Sequence, residues 1–194
     1  MKADVRADLA LIKKESGRAS GIIRNLSRFS RQQGSKAGEV YLRDVVASVV
    51  ELRQRRFQEQ DIKLEVDEQS SQPTVAVMTE LQQVLLNFVI NAEQALSSKA
   101  NSDRWISIRT RDTDHGVTLE VEDTGPGVGQ ENESKLFQPF FTTKPIGEGT
   151  GLGLSVSYGI VRSYGGTIGY RRGERGGALF HFELPVAAQS HKTA

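Results

Sequence analysis

From residue 5 to residue 26, apolar or small side chains recur at Val5, Leu9, Ile12, Ser16, Ala19, Ile23 and Leu26, alternately four and three apart. That is the 3.5-residue period of a bundle seam, and it predicts one long helix over residues 3–33. Ile22 and Phe29 widen the stripe, while Arg6, Lys13, Lys14, Glu15, Arg24 and Arg28 occupy the other faces. A lone helix cannot bury such a seam, so it needs either partner helices or its own domain to cover it. The small residues of 34–38 (GSKAG) read as a linker and a domain boundary.

The pattern then changes. Val40, Tyr41 and Leu42 read as a short strand, and residues 44–59 as an amphipathic helix with Val45, Val49, Leu52 and Phe57 near one side. Ile62, Leu64 and Val66 alternate with polar residues as in a half-buried strand, and Thr74–Val77 is another short one. Thr79 is placed to cap a helix over 80–98. Residues 105–113 and 116–122 alternate on either side of Asp114-His115-Gly116, a hairpin. Residues 152–164 read as helix, and 167–172 with 178–184 as a final hairpin turned by Gly173–Gly177. The order is β-α-β-β-α-β-β-loop-α-β-β. It predicts an α/β sandwich over residues 39–186, with a mixed, mostly antiparallel sheet and three helices on one face. Residues 187–194 read as a disordered tail.

Composition narrows the function classes. Lys plus Arg number 25 against 24 Asp plus Glu, a net charge of +1 that argues against a nucleic-acid partner. The absence of Cys removes disulfides, thiolate metal sites and Cys nucleophiles. No apolar run approaches the roughly 18 residues that span a bilayer, and no signal-peptide core follows Met1. A cytoplasmic location for this portion is the expectation, with membrane anchoring of a longer protein left open. Glycine is unevenly spread: none lies in residues 39–115, whereas 15 of the 19 lie in 116–194. Special backbone, either hairpin turns or a ligand loop, is therefore concentrated in the second half.

Four segments carry candidate chemistry. On the helix over 80–98, Leu81, Val84, Leu85, Phe88, Ala92 and Leu96 form the apolar side, and Glu80, Gln83, Asn87, Asn91 and Gln94 form a wholly polar stripe. The stripe is either a solvated face or, since Asn is a mediocre helix former, a set of oxygen ligands for a hard cation. Asp123-Thr124-Gly125-Pro126-Gly127 is either a plain turn or a carboxylate set to accept from a ligand where the backbone passes close. Leu136–Lys144 (LFQPFFTTK) packs three Phe around a Pro, then presents Thr142, Thr143 and Lys144. Gly147–Leu154 (GEGTGLGL) opens a helix, where unpaired N–H groups and the positive dipole end suit an anion. It is neither a Walker loop nor a dinucleotide fingerprint.

In that order these motifs resemble two-component sensor histidine kinases. NFVINAEQAL is similar to their N-box, DTGPGV to the first glycine box, LFQPFFTTK to the F-box and GTGLGLSVSYGIV to the second glycine box. GGALFHFELP is similar to the end of the domain, and SGRASGIIRNLSRF to the second helix of the dimerisation hairpin. The nitrogen- and oxygen-regulation subgroup is the nearest in flavour. The resemblance implies the Bergerat (GHKL) ATP-binding fold, preceded here by one long bundle helix. It implies ATP and Mg²⁺, with Asn91 as metal ligand and Asn87 beside it. Asp123 would accept from the adenine amino group, and Gly125 and Gly127 would let the base approach. Residues 126–150 would form the ATP lid, with Phe137 and Phe140 anchoring its end. Thr143, Lys144, Thr150 and the backbone of Gly151, Leu152, Gly153 and Leu154 would meet the phosphates. Implied partners are ATP or ADP, a second copy through the hairpin helix, and the receiver domain of a response regulator.

The family's phosphoacceptor box, His-Glu-x-x-x-Pro, does not occur in this sequence. His115 falls in a turn, His181 in a strand and His191 in the tail, so none replaces it. The expectation is that residues 1–33 supply only the second helix of the hairpin, and that the chain binds Mg·ATP without phosphorylating itself. Gln94 stands where many members carry a basic residue, and its role is open. Position 87 bears on kinase against hydrolytic ATPase. ATPases of this fold place a Glu there to activate water, and Asn87 cannot act as a general base. A nucleotide-gated interaction module is the other alternative.

Overall fold

In the computed structural model, residues 36–97, 103–144 and 149–187 are described. The predicted helix over 3–33, the tail beyond Ala187 and His191 lie outside them. The elements are β1 (Gly38–Val40), α1 (Leu42–Glu59), β2 (Lys63–Glu68), β3 (Thr74–Ala76), α2 (Met78–Leu96), β4 (Trp105–Asp112), β5 (Val117–Asp123), α3 (Gln130–Glu133), α4 (Gly153–Ser163), β6 (Thr167–Arg172) and β7 (Ala178–Leu184). This is the predicted order with one addition, the single exposed turn α3. Gly38, assigned to the linker, opens β1. Leu42, assigned to the first strand, begins α1, where it is buried with Val45, Val46 and Val49 at helical spacing.

Two sheets form. β1 pairs antiparallel with β3, and the bridge between Thr74 and Val186 ties the end of the fold back to this ribbon. The main sheet has the order β2-β4-β5-β7-β6, with β2 and β4 parallel and every other pair antiparallel. Period-2 alternation sends Ile106 and Ile108 of β4, Val117, Leu119 and Val121 of β5, and Phe180, Phe182 and Leu184 of β7 to one face, where all are buried. Helices α1, α2 and α4 cover that face. Phe88 of α2 lies 5.5 Å from the ring of Phe180 and 6.4 Å from that of Phe182.

The opposite face is ionic. Arg109 meets Glu120 at 3.3 Å and Glu122 at 2.7 Å, Arg171 meets Glu120 at 3.0 Å, and Arg111 meets Asp67 at 2.6 Å. At one end the β6–β7 turn folds over this face and sets the Arg175 guanidinium 3.9 Å above the ring of Trp105.

Candidate functional site

The site is built along the polar stripe of α2. From Glu80 to Asn91 this stripe is half-buried, with Glu80 and Asn87 bonded to α4 and its C-terminal end, whereas Gln94 at its far end is exposed. At its N-terminal end the backbone N–H of Val77 donates to the Tyr164 hydroxyl at 3.0 Å, and that hydroxyl donates to the Glu80 carboxylate. Val77 therefore takes the N-cap position that the sequence assigned to Thr79, and no side chain caps the helix. Burial and then the bond to Glu80 push the Tyr164 phenol up to about 12.

One turn and more along, Asn87 Nδ2 donates to the Gly153 carbonyl at 2.9 Å and to Ser157 Oγ at 3.0 Å. Ser157 is fully buried, and its own hydroxyl donates to Gly153 O at 3.0 Å. Two helices are thus joined at the start of α4. No acidic side chain occupies the first turn of that helix, so its N-terminal field stays positive. Leu152 N–H donates to Thr150 Oγ1 at 3.4 Å.

At the far end, Lys144 Nζ donates to Asn91 Oδ1 at 3.2 Å and to Gln94 Oε1. Burial lowers the Lys144 ammonium from its ordinary pKa. Amide oxygens are ligands that a hard cation accepts, so Asn91 and Gln94 could supply two of the six oxygens of a magnesium shell, the others coming from phosphates and water.

Asp123 ends β5 on the helix-covered face and is 3% exposed. Its Oδ1 accepts from Gly125 N–H at 2.7 Å and from Ala178 N–H at 3.3 Å. A Cβ on Gly125 would stand 2.8 Å from Ala95 Cβ, so this loop runs directly beneath α2. Gly127 follows on the same loop, where Val128 N–H donates to the Tyr170 hydroxyl at 3.2 Å.

The phenylalanine cluster divides. Phe137 lies 5.9 Å from the Tyr158 ring, and Phe137 and Phe141 both pack against the core. Phe140 does not anchor anything: it is 66% exposed, with φ of +67° turning its side chain outward. At this end of the segment it is Phe141, and not the expected Phe140, that packs against the core. The backbone of Phe140 instead meets Gly151, which has φ of +66° and whose missing Cβ would lie 2.3 Å from the Phe140 carbonyl carbon. Only glycine fits both demands. Thr143 is exposed, whereas Thr142 Oγ1 accepts the Lys144 backbone N–H at 3.2 Å. Residues 145–148, part of the glycine run, lie outside the described residues.

Several of these residues were missed from the sequence. Ser157 and Tyr164 looked like ordinary helix positions, because hydroxyls at helical spacing carry no signal for a partner helix. Gly177, read as a hairpin turn, also floors the loop: a Cβ there would stand 1.9 Å from the Asp123 carbonyl oxygen. Among the described residues no group of three or more His, Cys, Asp or Glu could hold a metal. No described helix is long and apolar enough to cross a membrane.

Residues 76–188 match the family of Histidine kinase-, DNA gyrase B-, and HSP90-like ATPases. The chain is 36% identical over 196 residues to sensor kinase CckA of Brucella abortus, across 92% of this chain and 20% of that protein. The solved catalytic domain of histidine kinase ThkA matches with a TM-score of 0.69 at 31% identity, across 78% of this chain and 96% of that domain. ThkA in complex with the response regulator protein TrrA matches with a TM-score of 0.72 at 27% identity, across 91% of this chain and 50% of that one. The chain spans 20 to 30% of the length of the first curated relatives it matches. The family model matches more than half of the chain and the ThkA catalytic domain is covered almost whole, so the chain belongs to this ATPase family, as the catalytic ATP-binding domain of a sensor histidine kinase.

Proposed function

We propose that the domain binds ATP with Mg²⁺ and transfers the terminal phosphoryl group to a His on a hairpin helix that this sequence lacks. The observation that carries this reading is the convergence of Asn91, Gln94 and Lys144 on α2, one helical turn beyond the contact of Asn87 with the start of α4. Asn91 would hold the metal, with Asn87 fixing the neighbouring helix start. Mg²⁺ would supply charge neutralisation at the phosphates. Lys144, Thr143, Thr150 and the amides of Gly151, Leu152, Gly153 and Leu154 would receive phosphate oxygens. Asp123 would accept from the adenine amino group over Gly125 and Gly127, with Phe137 backing the lid of residues 126–150.

Transfer rather than hydrolysis follows from position 87. Asn87 has no basic oxygen to deprotonate water, and its amide nitrogen is committed to Gly153 and Ser157. The nucleophile must bring its own base. In the whole protein the next acceptor would be an Asp on a response regulator, and residues 1–33 would pair with a second copy. The motifs favour the nitrogen- and oxygen-regulation subgroup.

The test is direct. Calorimetric titration with ATP should show binding that strengthens with Mg²⁺ and is lost in Asp123→Asn. Labelled ATP should give no acid-labile phosphate on this chain alone. It should give it on a hairpin helix with His-Glu-x-x-x-Pro supplied in trans. Phosphate appearing on the chain itself, or no ATP binding, would overturn the reading. Asn87→Glu should raise ATP hydrolysis at least about tenfold, since general-base assistance contributes 10²–10⁴ when well placed.

A further inference from the structure

Gln94 lies one helical turn after Asn91, so the two side chains are neighbours on one face of α2. Their oxygens meet at one ammonium, that of Lys144. Two features aim that lysine. Its backbone N–H is held by Thr142 Oγ1 at 3.2 Å. Its stem passes over Gly149, where an added Cβ would stand 3.2 Å from Lys144 Cδ and 2.7 Å from Thr142 Oγ1. A side chain at 149 would block this path. Lys144 is thus positioned on α2 by the loop as well as by its charge.

We propose that Asn91 and Gln94 form one two-oxygen cation seat, which Lys144 holds in the nucleotide-free domain and yields to the divalent cation that arrives with ATP. Gln94 thereby gains a role as the second oxygen of the seat. The two occupants exclude each other. A monovalent ammonium and a divalent cation sharing these oxygens would stand within a few ångström, where like charges repel even though Gln94 leaves one side of the seat exposed. A divalent cation alone must expel Lys144 with no anion to receive it. A cation arriving with nucleotide brings phosphate oxygens to which the ammonium can move, so metal and nucleotide bind cooperatively. The exchange rests on the assignment of Asn91 to the metal made above.

Mn²⁺ alone is the probe, followed by the loss of its free electron-paramagnetic-resonance signal in the absence of nucleotide. Wild-type chain should bind Mn²⁺ weakly. Lys144→Met should bind it about fivefold or more tightly, the lower end of ordinary coupling between sites. The double variant Lys144→Met with Gln94→Leu should lose that gain. A second measurement needs no metal: mass-spectrometric acetylation of Lys144 should speed up several-fold in Gln94→Leu, which removes one of the ammonium's two acceptors and leaves Asn91 Oδ1 alone to hold it. Unchanged Mn²⁺ affinity in Lys144→Met, a gain that survives Gln94→Leu, or unchanged acetylation would each overturn the exchange. ATP titration of the same wild-type sample separates the two levels. Failure to bind ATP would end the functional assignment, whereas ATP binding with unchanged Mn²⁺ affinity would end the exchange alone.

Discussion

Asp123 shows how much one position can carry. Strand period 2 puts it on the helix-covered face with Val121 and Leu119, and this much is readable from the alternation of β5. Its contact with Ala178 N–H at the start of β7 is not, because 55 residues separate the two. His181 was read as a strand residue, and it sits mid-β7 opposite Gly169. Its Nδ1 is buried without a hydrogen-bond partner among the described residues. Burial lowers its pKa from the ordinary 6.5; Arg171 lowers it too, while Glu120 and Glu183 raise it. A lowered folded-state value means that the unfolded chain binds more protons below pH 6.5. His181 therefore contributes fully above that pH and loses its contribution as the pH falls through the folded value. Urea unfolding at pH 7.5 and 5.5 should show a smaller acid loss for His181→Gln than for wild type. Equal losses would show that His181 does not set this part of the pH response.

Between elements, α1 and α2 are joined by an ion pair as well as by the apolar core. Arg53 Nε donates to Glu93 Oε1 at 2.8 Å and its second nitrogen to Oε2, with Glu93 4% exposed. The bond to Glu93 raises the Arg53 pKa against the opposing effect of burial. Arg53→Met leaves a carboxylate buried without its partner and should cost about 3 kcal/mol by chemical denaturation, partly recovered in Arg53→Met with Glu93→Leu. Tyr164→Phe removes the hydroxyl between Val77 and Glu80 and should cost about 1–2 kcal/mol by the same measurement. Periodicity located both helices within a few residues. It misjudged the cap of α2, because the group that meets Val77 comes from the end of α4, 87 residues later in the chain. The stripe was legible as unusual, with two Asn and no Lys or Arg. Which partner each residue takes was not, since a helical wheel carries no information about what faces it.

On the scale of the whole molecule, the sheet separates an apolar interior under three helices from an ionic outer face, and the site lies at one edge of the helical layer. Ligand that binds only the folded chain stabilises it by mass action, about 2.7 kcal/mol at a hundredfold excess over Kd. For a chain of this size that corresponds to a rise of about 5–10 °C in Tm, measurable by differential scanning fluorimetry with ATP and Mg²⁺. No shift at saturating nucleotide would contradict ATP binding. Sequence alone determined the element order, the mixed sheet and the four motifs, because local spacing decides which faces are apolar and where the backbone must turn. It also sufficed to recognise the family, whose motifs keep their order along the chain. Tertiary structure alone decided that Glu80 and Asn87 of the polar stripe meet α4 and its end, that Phe141 and not Phe140 packs against the core, and that Gly177 floors the loop of Asp123. It also decided that Gln94 shares the ammonium of Lys144 with Asn91. Each of these depends on groups 11 to 87 residues apart being brought within hydrogen-bond or van der Waals reach, which only the packing of α2 against α4 and the sheet accomplishes.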